Sequence, residues 1–188
     1  MADSSAHAYF KVPSGWHAVS TSALANALKM NGSDAWLSAF GADSSIASPD
    51  SVYSFDVGQP FVFAEVGGLN AQASNSLSYN ELTDIFLPVT STARSQAAGQ
   101  IPVTNFQLLR QSTLSQAQGV HGVRVTYDYT WAGGPVQGSA DTFDQVALTN
   151  ADQTVLYLLI IHCTTACYSQ NRNSINDIMS SFTVRSPL

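Results

Sequence analysis

The stretch that most constrains this chain is a run of seven apolar residues, Val155-Leu156-Tyr157-Leu158-Leu159-Ile160-Ile161. A continuous apolar run of that length predicts a buried strand. Cys163-Thr164-Thr165-Ala166-Cys167 follows at once. Beyond it, Tyr168, Ile175, Ile178, Met179 and Phe182 recur at the three- and four-residue spacing of one helix face. From Gln153 to Arg185 the expectation is therefore a buried strand, a cysteine-marked corner, and an amphipathic helix packed back on the sheet.

The preceding segments add strands. Val123, Val125, Tyr127, Tyr129 and Trp131 alternate with Arg124, Thr126, Asp128 and Thr130, the pattern of a half-buried strand. Val103 to Leu114 reads as its predecessor, and Gln137 to Leu148 as its successor after the turn Ala132-Gly133-Gly134-Pro135. Short connections between consecutive strands imply an antiparallel meander, because parallel pairing needs long crossovers.

Nearer the start, Tyr9 to Pro13 and Trp16 to Val19 read as a hairpin turning at Ser14-Gly15. A helix runs from a Ser20–Ser22 cap to Met30, and a second from Asp34 to Phe40 buries Trp36, Leu37 and Phe40. Phe61 to Val66 is strand-like, and residues 41–58 and 69–77 read as polar loop. Ser78-Tyr79-Asn80-Glu81 fits a capping box for a helix carrying Leu82, Ile85, Phe86, Val89 and Ala93. Pro88 lies inside that pattern, and its ring opposes the carbonyl of Asp84, so a kink or break is expected. The sum is an α+β fold, a twisted antiparallel sheet flanked by helices, in one domain spanning residues 1–188.

Composition excludes several roles. Charged residues make up 11% of the chain, against roughly 25% in average soluble domains. The formal charge is −6, and Lys11, Lys29 and five arginines are scattered. Phosphate neutralisation needs clustered cations, so nucleic acid is not an expected partner. No apolar run approaches the ~20 residues of a membrane-spanning helix. Met1 to Ser5 show no signal peptide. An export signal or lipid-modified cysteine, where one exists, would stand ahead of Met1.

The candidate chemistry is sparse. Cys163 and Cys167 are the only cysteines. A disulfide is the first reading of the pair. Metal ligation with His162, a redox-active dithiol and two reduced thiols are the alternatives. Structural zinc sites ordinarily recruit a second pair, and redox dithiols favour Cys-x-x-Cys.

His7, His17, His121 and His162 fit no ligand spacing and read as surface or strand histidines. No Gly-x-Ser-x-Gly elbow and no phosphate-binding glycine loop is present. Asp141 with Asp144, or Asp128 with Glu65, could be paired carboxylates, with solvated strand-edge acids as the simpler reading. Tyr127, Tyr129 and Trp131 could form a ligand platform, with core as the simpler reading. Asn31-Gly32-Ser33 is both a glycosylation sequon and a turn signal. No catalytic residue, metal or cofactor is expected.

Tyr9-Phe10-Lys11-Val12-Pro13-Ser14-Gly15-Trp16 is similar to the opening aromatic–x–x–Pro–x–x–Trp hairpin of PsbP/Mog1-like proteins. The meander and a final helix ending Ile178-Met179-Ser180-Ser181-Phe182 resemble that family's closing segment. The resemblance implies an α-β-α sandwich and a binding or assembly role rather than catalysis. It is closest to the secreted actinobacterial lipoproteins of that fold, given the lysine-poor surface and the cysteine pair. The expected function is then a non-catalytic, extracytoplasmic binding or assembly module of the cell envelope, whose partner is a protein or a small molecule. The alternative is a small-molecule or lipid carrier with an apolar pocket between sheet and helices. In both readings Pro13, Trp16 and Phe182 serve the fold, closing the chain's ends against the sheet.

Overall fold

A computed structural model describes residues 2–3, 7–30 and 34–185. The Asn31-Gly32-Ser33 sequon and parts of Met1 to Ser5 lie outside them. Seven antiparallel strands form the main sheet: β3 (His17–Ala18), β4 (Trp36–Gly41), β5 (Phe61–Gly68), β6 (Val103–Ser115), β7 (His121–Trp131), β8 (Ala140–Thr149) and β9 (Val155–Thr164). Their spatial order is β3-β4-β5-β9-β8-β7-β6. The meander expected from the sequence is thus the β6-β7-β8-β9 half. β1 (Ala2–Asp3), β2 (Ala8–Tyr9) and β10 (Thr183–Val184) make a separate three-stranded sheet that joins the two ends of the chain.

The apolar run of β9 is explained by its central position. Leu156, Leu158 and Ile160 join one core layer, while Tyr157, Leu159 and Ile161 join the other. A strand covered on both faces has no polar side to alternate with. The first layer packs Leu24 of α1 (Thr21–Ala27) and Leu82 of α3 (Tyr79–Thr83) against Val125, Tyr127 and Phe143. The second packs Ile175, Ile178 and Met179 of α5 (Thr165–Ser180), with Phe10 and Phe182, against the opposite face. Helices therefore flank a twisted antiparallel sheet, as an α-β-α sandwich requires.

Four expectations need correction. Residues 36–41 are strand β4, not a helix, and their register with β5 runs from Trp36↔Val66 to Gly41↔Phe61. Leu37 and Ala39 face one layer and Phe40 the other, so the short apolar run is doubly buried. The opening hairpin is split: β2 pairs with β1 and β10, while β3 pairs with β4. Its turn remains, with the Trp16 N–H donating to the Pro13 carbonyl. Pro13 is exposed and Trp16 is half-buried, so Phe182 carries more of the closing contact than either.

The third correction is α2 (Ala71–Ser76), a short helix inside the expected loop, capped by the Asn70 side chain. The fourth is one of position only: the break expected at Pro88 occurs, but it opens earlier, at Asp84. Ser78 does accept the Glu81 N–H, but α3 ends at Thr83. The chain resumes as helix only at α4 (Ser91–Ala97), after Pro88. Asp84 stabilises the break by accepting the N–H groups of Val89 and Thr90 and the Thr90 hydroxyl.

Candidate functional site

α5 covers β8 and β9 but stops short of the outer strands. A cleft of ≈580 Å3 opens where the helix leaves the sheet. Alternation on β7 turns Val123, Val125 and Tyr127 into the core and sends Arg124, Thr126 and Asp128 to the α5 side. Thr142 of β8 lies beside Asp128, and its hydroxyl donates to the Asp128 carboxylate at 2.7 Å.

β6 supplies Arg110 because of a bulge. Leu108 pairs with Tyr127, yet Arg110 pairs with Thr126, so Leu109 is an extra residue. In a regular strand Arg110, two residues beyond Leu108, would share its face and point away from the cleft. The facing wall is the polar stripe of α5. Tyr168, Arg172 and Asn176 follow at four-residue steps, with Ser169 and Asn173 beside them.

The floor is a buried ion pair. Arg124 Nε donates to Asp144 Oδ1 at 2.9 Å and Nη2 to Oδ2 at 2.8 Å. The Tyr168 hydroxyl donates to Asp144 Oδ2 at 2.8 Å, which ties the helix to the sheet. Burial opposes the charge on Arg124. The hydrogen bonds and charge of Asp144, with Tyr168, outweigh it and hold the guanidinium above its usual range. Tyr168 is raised by burial first and then by the Asp144 charge. Asp128 is raised by burial, which the Thr142 hydroxyl partly offsets. These floor groups are occupied with one another. Arg110 and Arg172 are exposed and, among the described residues, make no hydrogen bond or ion pair.

The structure brings few of the sequence candidates together. Cys163 and Cys167 are joined by a disulfide with a Cα separation of 5.9 Å, at the corner where β9 ends on Thr164 and α5 begins on Thr165. The Thr164 hydroxyl caps the helix through the Cys167 N–H.

Asp141 and Asp144 are not a pair: three residues apart on one strand, they face opposite sides. Nor are they solvated edge acids, since both are fully buried. Asp128 and Glu65 are separated by β8 and β9. Tyr127 and Tyr129 are buried in the core, with Tyr127 stacked on Phe143. His162 is buried on the α1–α3 side, stacked on Phe143, with Nε2 on the Ser51 carbonyl. Among the described residues no three His, Cys, Asp or Glu side chains gather as a metal site. No helix there is long and apolar enough to cross a membrane.

Arg110, Arg124, Thr142 and Arg172 were not singled out by the sequence. The signal that could have found them is the polar phase of β7 together with the four-residue step on α5.

This architecture is that of the PsbP-like fold. The solution structure of cyanobacterial PsbP (CyanoP) from Synechocystis has 14% identity and a TM-score of 0.55, over 98% of this chain and 91% of that one. The crystal structure of LpqN, involved in cell envelope biogenesis of Mycobacterium tuberculosis, has 14% identity and a TM-score of 0.50, over 95% and 83%. The sequence matches no protein-family model and no curated protein.

Proposed function

We propose that this chain is a non-catalytic, extracytoplasmic binding module of the cell envelope, with the cleft between α5 and strands β6–β8 as its ligand site. The observation that carries the reading is the preformed polar cleft itself. Its volume falls in the ~300–1,000 Å3 range of ligand sites. Its buried polar groups are fixed by one another, while its rim groups stay open to a guest. The Cys163–Cys167 disulfide supports an oxidising compartment, because cytosolic thiols are normally kept reduced. The fold shared with LpqN, a cell-envelope biogenesis protein, supports the same setting.

The carrier alternative is less favoured. Between the sheet and α1–α3, Phe106 is in ring contact with Tyr127 and Tyr129, and Tyr127 with Phe143. The opening left beside Leu77, Tyr79 and Leu82 is ≈160 Å3, below that range.

The test is amide chemical-shift mapping of the full chain against a panel of neutral sugars, acidic sugars, amino acids, short peptides and fatty acids. Shifts confined to α5 and β6–β8 support the cleft. Fatty-acid shifts among the α1–α3 core residues would instead establish the carrier. Mass spectrometry of exported protein without reductant should show the chain two hydrogens lighter than after reduction. Two free thiols in that sample would remove the compartment argument.

A further inference from the structure

From this geometry we infer that the cleft takes an acidic sugar, a hydroxyl-bearing ring that carries a carboxylate or a phosphate. The inference rests on the cleft being the ligand site, and adds the chemistry of the ligand.

The charge distribution is the first observation. The chain carries −6 overall, yet three of its five arginines line this one cleft. Arg124 is neutralised by Asp144 beneath the floor. Arg110 on one wall and Arg172 on the other are left without partners among the described residues. Two unpaired guanidiniums lining one preformed cleft, one from β6 and one from α5, suit an oxyanion, which accepts paired N–H bonds from such planar forks. The placement of Arg110 depends on the Leu109 bulge, and bulges re-aim side chains at sites.

The remaining lining sets the rest of the guest. Ser169, Asn173 and Asn176 offer hydroxyl and amide groups, and the Thr165 hydroxyl, which donates to the Ala140 carbonyl, keeps its lone pairs for a guest. Such a set donates to and accepts from ring hydroxyls. Among the described residues, Asp128 is the single carboxylate lining the cleft. It would repel a bare anion, but it can accept hydrogen bonds from a sugar hydroxyl. A neutral sugar leaves the arginines unused, and inorganic phosphate leaves the hydroxyl and amide walls unused. A molecule that carries both features uses both the arginines and the hydroxyl and amide groups.

The experiment is calorimetric titration of the full chain with glucuronate, glucose 6-phosphate, glucose and inorganic phosphate, with chemical-shift mapping of each. Arg110→Gln and Arg172→Gln are titrated in parallel. Both residues are exposed, and an unchanged melting curve confirms folding. The acidic sugars should bind more tightly than glucose or phosphate, with shifts along residues 168–176 and β6–β8. Each Gln variant should lose about tenfold, the scale of one charge-assisted contact. Binding should also weaken in about 1 M salt, where screening falls to ~3 Å.

Phosphatidylinositol and phosphatidylcholine vesicles identify the source. Retention on the former alone would make the acidic ring a lipid headgroup, and no retention would make it a soluble sugar. Glucose binding as tightly as glucuronate, or Gln variants that bind like the parent, overturns the inference while leaving the cleft as the ligand site. Absence of cleft shifts with every member of both panels overturns the inference and the underlying reading together.

Discussion

The two faces of the sheet bury polar groups in opposite ways. On the α5 side, Arg124, Asp144 and Tyr168 satisfy one another at 2.8–2.9 Å. On the α1–α3 side, Tyr127 Oη, Gln145 Oε1, Asp141 Oδ1 and His162 Nδ1 have no hydrogen-bond partner among the described residues. Each of these last residues does use its other polar atoms where it has them. Asp141 Oδ2 accepts the Asp56 N–H at 2.8 Å, from a residue held at φ 66. Gln145 donates to the carbonyls of Leu82 and Thr83. One face thus carries a closed network anchoring a helix, and the other carries single tethers to loops and helix ends. Closed networks rigidify, whereas half-satisfied groups respond to pH and substitution.

The largest expected effect is on the closed side. Asp144→Ala leaves the Arg124 guanidinium buried without its partner. Removing one member of a buried pair typically costs ~3–5 kcal/mol. Urea denaturation should show that loss, and Arg124→Met with Asp144→Leu should recover most of it. A single variant with parental stability would break the contrast between the faces.

The next effect tests the other side through pH. Burial, set against the Asp56 N–H bond, pushes Asp141 up from 3.8 to about 6. Its contribution is fully present below 3.8 and is lost as pH rises through about 6. Burial pushes His162 down from 6.5 to about 4, against the Ser51 hydrogen bond. Its contribution is present above 6.5 and is lost as pH falls through about 4. The two oppose each other between these values. Replacing Asp141 with Asn removes one arm. On acidification from neutral pH, the variant's stability should fall about 3 kcal/mol further than the parent's. Parallel stability curves for parent and variant would refute this account.

Two tyrosines sharpen the comparison at smaller scale. Tyr168→Phe removes a hydrogen bond to a carboxylate and should cost about 1.5–3 kcal/mol. Tyr127→Phe removes a buried hydroxyl that has no partner, and should change stability by less than about 1 kcal/mol in either direction. Thermal melts of the pair decide it. Equal losses would mean that the two faces are alike.

How much of this was legible depends on the range of the signal. β9, α5 and the corner between them were readable because run length, helical spacing and the cysteines all lie within 33 residues. β4 was misread because Trp36, Leu37 and Phe40 suit one helix face as well as a doubly buried strand. The α-β-α arrangement came through resemblance to the PsbP-like fold. The cleft floor was hidden for a different reason. Arg124 and Asp144 are 20 positions apart, and they meet only through the β7–β8 register that pairs Thr126 with Asp144. Polar residues on a half-buried strand are normally solvated, and nothing local says that a helix will come down beside them.

The bulged outer strand has a consequence for how the protein behaves in concentrated solution. β6 is a 13-residue edge strand, with Leu108 and Leu109 exposed near its middle. A long, uninterrupted edge offers its free amides and carbonyls to another chain and templates aggregation. Here the register breaks between Thr104 and Gln107 and again between Leu108 and Arg110. Two interruptions leave no long flat row for a second chain to match, and Arg110 sets a charge beside the exposed leucines. The irregularity that orients an arginine also keeps neighbouring molecules from adding to the sheet.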